Sequence, residues 1–210
     1  MIGIGARRRG ILISLFAVLL AGTAAAADPS DADWPCQQRK VPSISAGQVW
    51  TGPSLEDVGR SWQDDPVVAG LAHEIAARRT ELDEAKRLIA DLASSSGSEK
   101  NRKLTALAAG MLAIINGDRG SIIAGIERYA KRQKALAAKI EQETAELEQL
   151  PADEAGSGNT QRADLREILD WDSRIFQERE QSLTYVCELP VQLERRAFVL
   201  GREIQSHLDP

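Results

Sequence analysis

The amino-acid sequence predicts an all-α protein: an antiparallel bundle of four to five long amphipathic helices, entered through a signal peptide and an extended Trp/Pro-rich arm. Three observations carry this expectation. Apolar residues recur at three- and four-residue steps through nearly everything after Pro66, the spacing of one helix face. No stretch alternates apolar and polar residues in the two-residue period of a half-buried strand. Trp34, Trp50 and Trp62, with Pro29, Pro35, Pro42 and Pro53, crowd into residues 28–62, where no helical period runs. The expected boundaries are a signal peptide over 1–27, an arm with a short helix over 28–65 and a helical bundle over 66–208.

The leader is read from its three parts. Arg7, Arg8 and Arg9 form a positive start, Ile11 to Leu20 an apolar centre, and Ala25-Ala26-Ala27 a small-residue cleavage site. The apolar run is short for a membrane span, so the mature chain is expected to be exported to the periplasm and not to span the membrane. Arg8-Arg9 resembles a twin-arginine signal, but three arginines also suit the general secretory route, which is the expectation. Cleavage after Ala27 removes three of the 26 bases and none of the 31 acids. The mature chain of about 183 residues then has a net charge near −8. Such a chain is a poor nucleic-acid binder, because phosphate contacts need a basic surface.

Within the arm, the rings are too large for a solvated tail and the prolines too frequent for a helix. Each tryptophan is expected to fill a groove between helices, with a short helix over Gly52 to Trp62. Asp64-Asp65-Pro66 starts the first long helix: an acidic cap, then proline where its missing N–H does no harm. Val68, Leu71, Ile75, Leu82, Ala85, Ile89 and Leu92 form its apolar seam, which ends in Ser94 to Ser98. That seam has the length of a coiled coil, but the bundle core needs the same residues, so self-association through it is an alternative.

A second helix is expected from Glu99, with Leu104 to Ile115 apolar nearly all round and therefore the most buried stretch. Asn116-Gly117 is turn chemistry and predicts a break there. A third helix follows from Ser121 to Leu150, with Ile122, Ile126, Tyr129, Leu136, Ile140 and Leu147 on one stripe. Its bases (Lys131, Arg132, Lys134, Lys139) precede its acids (Glu141, Glu143, Glu146, Glu148), an order opposite to that favoured by the helix dipole. Residues 151–160 read as a polar loop. A fourth helix over Arg162 to Glu188 turns Leu165, Ile168, Leu169, Ile175, Phe176, Leu183 and Val186 inward. Pro190 should kink or end it. Leu193, Ala197, Leu200, Ile204 and Leu208 keep the same phase, so one long kinked rod is expected.

The chain has two cysteines, Cys36 and Cys187. In an oxidising compartment two cysteines in one chain pair, so a structural disulfide is expected to pin the arm to the far end of the bundle. A redox role finds no support, since there is no Cys-x-x-Cys and no strand–helix context around either residue.

Catalytic and metal-binding patterns are missing. His73, His207 and Met111 are the only imidazole or thioether ligands in the mature chain, and His73-Glu74 lacks the second histidine of a zinc helix. The acidic runs Asp28 to Asp33 and Asp170 to Ser173 lack the glycine and distal glutamate of a calcium loop. No nucleophile elbow, phosphate loop or dinucleotide fingerprint occurs. No cofactor or metal is therefore expected.

The expected function is that of a non-enzymatic periplasmic accessory or scaffold protein, mediating protein–protein interaction with an envelope or exported partner. A homo-oligomer fits the same surfaces. The alternative is a binding module for a small ligand or metal, in a groove between the arm and the C-terminal helices lined by Trp34, Trp50, Trp62, Trp171, Phe176 and Tyr185. An enzyme would require acids such as Asp170 and Asp172 to be buried with perturbed ionisation.

Overall fold

The structure, a computed structural model, describes residues 34–150 and 157–210. The signal-peptide reading of 1–27, the acidic run 28–33 and residues 151–156 of the expected loop lie outside these residues. Among the described residues there are five α-helices and no strand: α1 (Ala46–Val49), α2 (Pro66–Ala76), α3 (Leu82–Ser95), α4 (Lys100–Gln149) and α5 (Ser157–Ser206). Single turns of 3₁₀-helix occupy Ser61–Asp64 and Gly97–Glu99. No described helix is long and apolar enough to cross a membrane.

Two sequence expectations about the helices are corrected, and the start of the last helix is moved. The first long helix is two: α2 and α3 are separated at residues 77–81, with Ala77 already extended. The buried Arg196 holds this break open. Its guanidinium donates from Nε to the Ile75 carbonyl (2.8 Å) and from Nη2 to the Thr80 carbonyl (2.7 Å). Carbonyls a continuous helix would have used internally are thus taken by a charge, the stronger class of hydrogen bond. The seam Val68, Ile75, Ala85, Ile89 and Leu92 is buried in the core on both sides of the break, so it offers no surface for a coiled coil with another chain.

The second and third expected helices are one. Asn116 and Gly117 lie inside α4, because the asparagine amide bonds to Ile44 instead of to its own backbone. Its Oδ1 accepts from the Ile44 N–H at 2.8 Å and its Nδ2 donates to the Ile44 carbonyl at 3.0 Å. Turn chemistry depends on that side chain folding back locally, and here it is occupied elsewhere.

The last helix runs without interruption from Ser157, five residues before the expected start, and Pro190 sits inside it. Side chains supply hydrogen bonds around the proline. Arg119 donates to the Pro190 carbonyl at 3.3 Å, and the Gln38 amide donates to the Cys187 carbonyl.

The start of α2 follows the sequence closely. Asp65 caps it, accepting from the N–H groups of Val67 (3.0 Å) and Val68 (3.3 Å), with Pro66 at the first helical position. The core gathers α2, α3, Leu104 to Ile115 of α4 and Leu193 to Ile204 of α5 around Ile44, Val49, Trp50, Leu55 and Trp62. Two glycines permit close approaches between elements. A Cβ on Gly110 would meet the Trp62 ring at 2.8 Å, and one on Gly201 would meet the Val49 carbonyl oxygen at 2.4 Å. Trp62 therefore packs directly against α4, and α1 lies on α5.

Candidate functional site

Cys36 and Cys187 form a disulfide, with Cα atoms 5.6 Å apart across a sequence separation of 151. It ties the segment before α1 to α5 three residues ahead of Pro190. Trp34 Nε1 donates to the Gln38 carbonyl at 2.6 Å, closing a turn around the bridge. Farther along, Lys40 pairs with Glu127 of α4 at 2.6 Å, and Thr51 and Gln205 exchange two bonds of 3.0 and 2.6 Å. The segment is thus anchored on both long helices.

Glu127 also marks where the core ends. No member of the core cluster lies beyond Ile122 on α4 or before Leu193 on α5. From there α4 and α5 continue as an antiparallel hairpin of about 23 residues a side, roughly 35 Å at 1.5 Å per residue. Its seam is partly polar. Tyr129 Oη donates to the Arg179 carbonyl (2.8 Å), Gln133 Nε2 to the Phe176 carbonyl (3.0 Å), and Arg162 Nη1 to the carbonyls of Leu147 and Leu150 (2.7 and 2.6 Å). Lys139 Nζ lies 2.5 Å from Asp172 Oδ2 and 3.2 Å from Glu143 Oε1. The bonds to Asp172 and then to Glu143 raise the lysine's pKa above its ordinary value. Burial raises that of Tyr129, with the Arg179 charge opposing.

The six residues expected to line one groove go to different places. Trp50 and Trp62 are core residues, the first closed in by Gly52 and Leu208 and the second beside His73, 6.1 Å between ring centroids. Trp34 is half-buried by the disulfide and Phe176 half-buried in the hairpin seam. Trp171 is 60 % exposed on the hairpin and Tyr185 78 % exposed near its base. Ile168, expected inside, is 47 % exposed beside Trp171.

The surface around Trp171 is an open shelf of about 1000 Å³, bordered by Lys139, Asp164, Ile168, Asp172 and Arg174 and by none of the other five groove residues. Smaller grooves of about 340 and 260 Å³ lie beside Phe198 and beside the disulfide. Of the two acids an enzyme would need, Asp170 is exposed and Asp172 is buried but paired with Lys139. Among the described residues, no three histidine, cysteine or carboxylate side chains are grouped to hold a metal.

Comparison with protein-family models, with curated proteins and with solved structures finds no match. Sequence reasoning missed the hairpin, because it placed a helix break at Asn116 and so divided α4, although it took the last helix as one rod through Pro190. The signal that marks it is the fall in apolar density after Ile126, where Ala130, Gln133 and Glu143 take buried positions.

Proposed function

We propose that this protein is a non-enzymatic interaction module of the cell envelope, exported through its N-terminal leader. Its working part would be the α4–α5 hairpin, presented to an envelope or exported partner by the disulfide-tied core. One observation carries the reading: the hairpin extends past the core with Trp171, Ile168 and Tyr185 exposed. Large exposed side chains on a long helical projection are the material of helix-mediated docking. The disulfide and the lack of a membrane-crossing described helix accord with an exported chain.

Site-specific photo-crosslinking in intact cells tests this. A crosslinker at Tyr185 is expected to give one discrete heavier adduct that a crosslinker at Glu84, on α3, does not. Equal, diffuse labelling at both positions refutes the reading. A ligand-dependent rise in melting temperature across a panel of metals and small solutes would favour a binding module instead.

A further inference from the structure

We propose that the hairpin flank bearing Trp171 is the surface on which a second copy of this chain docks, antiparallel, about a two-fold axis at the level of Lys139. Three independent features converge on it. The first is the flank itself. Lys139, Asp164, Ile168 and Trp171 border one open shelf, and Glu146, Asp164 and Ile168 border its continuation. Lys139 of α4 and the exposed pair Ile168 and Trp171 of α5 therefore share one face.

The second is the charge order on that face. Arg132, Lys139 and Glu146 recur at seven-residue spacing, which returns to the same side of a helix after two turns. All three are exposed. The face thus reads base, base, acid. Docked parallel, a second copy would set Arg132 against Arg132 and Glu146 against Glu146. Docked antiparallel about the midpoint, Arg132 meets Glu146 of the second copy, twice by symmetry. An isologous interface must be self-complementary in this way.

The third is the coincidence of that midpoint with the largest exposed ring of the hairpin. The residue midway between Arg132 and Glu146 is Lys139. Its bond to Asp172 places it level with the residue next to Trp171. The two-fold defined by α4 charges therefore brings Trp171 beside its own copy, with Ile168 to one side. On α4 the face between the charges offers Ala135, small enough for close helix approach, and the uncharged Gln142, both exposed. The result is a four-helix assembly with Trp171 beside the axis and the Arg132–Glu146 pairs at its margins. Lys139 faces its own copy on the axis, its charge already met by Asp172 and Glu143.

This inference stands apart from the envelope-partner reading: it concerns the purified chain alone. Sedimentation equilibrium of the oxidised mature protein is expected to show a monomer–dimer equilibrium with the dimer dominant at about 100 µM. Trp171→Ala should weaken dimerisation at least tenfold. Arg132→Glu and Glu146→Arg should each weaken it about five- to tenfold, and mixing these two variants should restore a heterodimer near wild-type affinity. Helical circular dichroism and an intact disulfide in each variant exclude misfolding as the cause. A chain that stays monomeric at that concentration overturns the proposal, as does a dimer indifferent to Trp171→Ala or one not rescued by mixing. Monomers in solution together with a discrete crosslinked adduct at Tyr185 would sink the self-association and leave the interaction reading in place.

Discussion

Along α4, Leu104 to Ile115 are enclosed by α2, α3 and α5, and Leu104, Leu107, Met111 and Ile115 are at most 1 % exposed. Some twenty residues later the same helix leans on α5 and turns Arg132, Ala135 and Ala138 to solvent. In the core a helix is held by apolar area on nearly every side, at about 25 cal/mol per Å² removed from water. In the hairpin it is held by a narrow seam of half-buried Leu136, Ile140 and Leu147, interrupted by Gln133 and Glu143. Local opening should therefore begin in the hairpin and reach the core last. One continuous helix thus has two stabilities, and its weaker half carries the exposed surface.

The largest effect is expected at the junction. Removing the Cys36–Cys187 bridge frees a loop closed across 151 positions, for which chain entropy gives about 4–5 kcal/mol. Cys36→Ser with Cys187→Ser should lower the urea midpoint accordingly. Because the bridge holds the segment that supplies Ile44, Val49 and Trp50 to the core, hydrogen exchange should quicken in the core as well as in the hairpin. Quickening confined to the hairpin would mean that the segment is held without the bridge. Arg196→Met comes next and acts on the core alone. It leaves the carbonyls of Ile75 and Thr80 without their charged donor, at about 3 kcal/mol. Burial already pushes the Arg196 pKa down, with Glu81 opposing. Thermal unfolding of the variant checks the size of the effect.

These two sites differ in how far the sequence betrays them. The disulfide follows from parity and compartment, and the cap at Asp65-Pro66 from local chemistry. Both are rules about a residue and its neighbours. Arg196 reads as one more charge on a helix, since its carbonyl partners lie 121 and 116 positions away. Asn116 is misleading for the same reason: its turn-forming amide is satisfied by Ile44, 72 positions off. Trp50 and Trp62 were legible as buried rings but not as members of separate sites, because what separates them is the fold. The exposed pair Ile168 and Trp171 followed a core-like period, and only the end of the core at Leu193 leaves them uncovered.

Smaller changes sharpen the contrast between the two halves. Gly201→Ala places a Cβ 2.4 Å from the Val49 carbonyl oxygen, a backbone atom with no flexible side chain to yield. The overpacking should cost about 2 kcal/mol and displace α1, seen as increased proteolysis near Val49 with the hairpin unaffected. Gln133→Leu tests the opposite half. Gln133 is buried with its Oε1 unpartnered, so leucine removes a polar atom from the seam. Stability should rise by about 0.5 kcal/mol, with exchange slowed only at hairpin amides. A fall in stability would mean that its bond to the Phe176 carbonyl holds the two helices in register.

The smallest effect is the one pH can isolate. Lys139 is exposed, and its pKa is raised above the ordinary 10.5 first by the hydrogen bond to Asp172. A cation whose folded pKa exceeds its unfolded one contributes its stabilisation in full below the unfolded value. It loses that contribution as pH rises through the folded one. Asp172→Asn removes the partner charge at all these pH values. Wild type should therefore be the more stable at about pH 8, and the difference should shrink as pH rises past the ordinary lysine value of 10.5 and the ammonium deprotonates. If the difference holds constant across that range, the carboxylate of Asp172 acts through burial and shape in the seam, and the hairpin owes nothing to this charge pair.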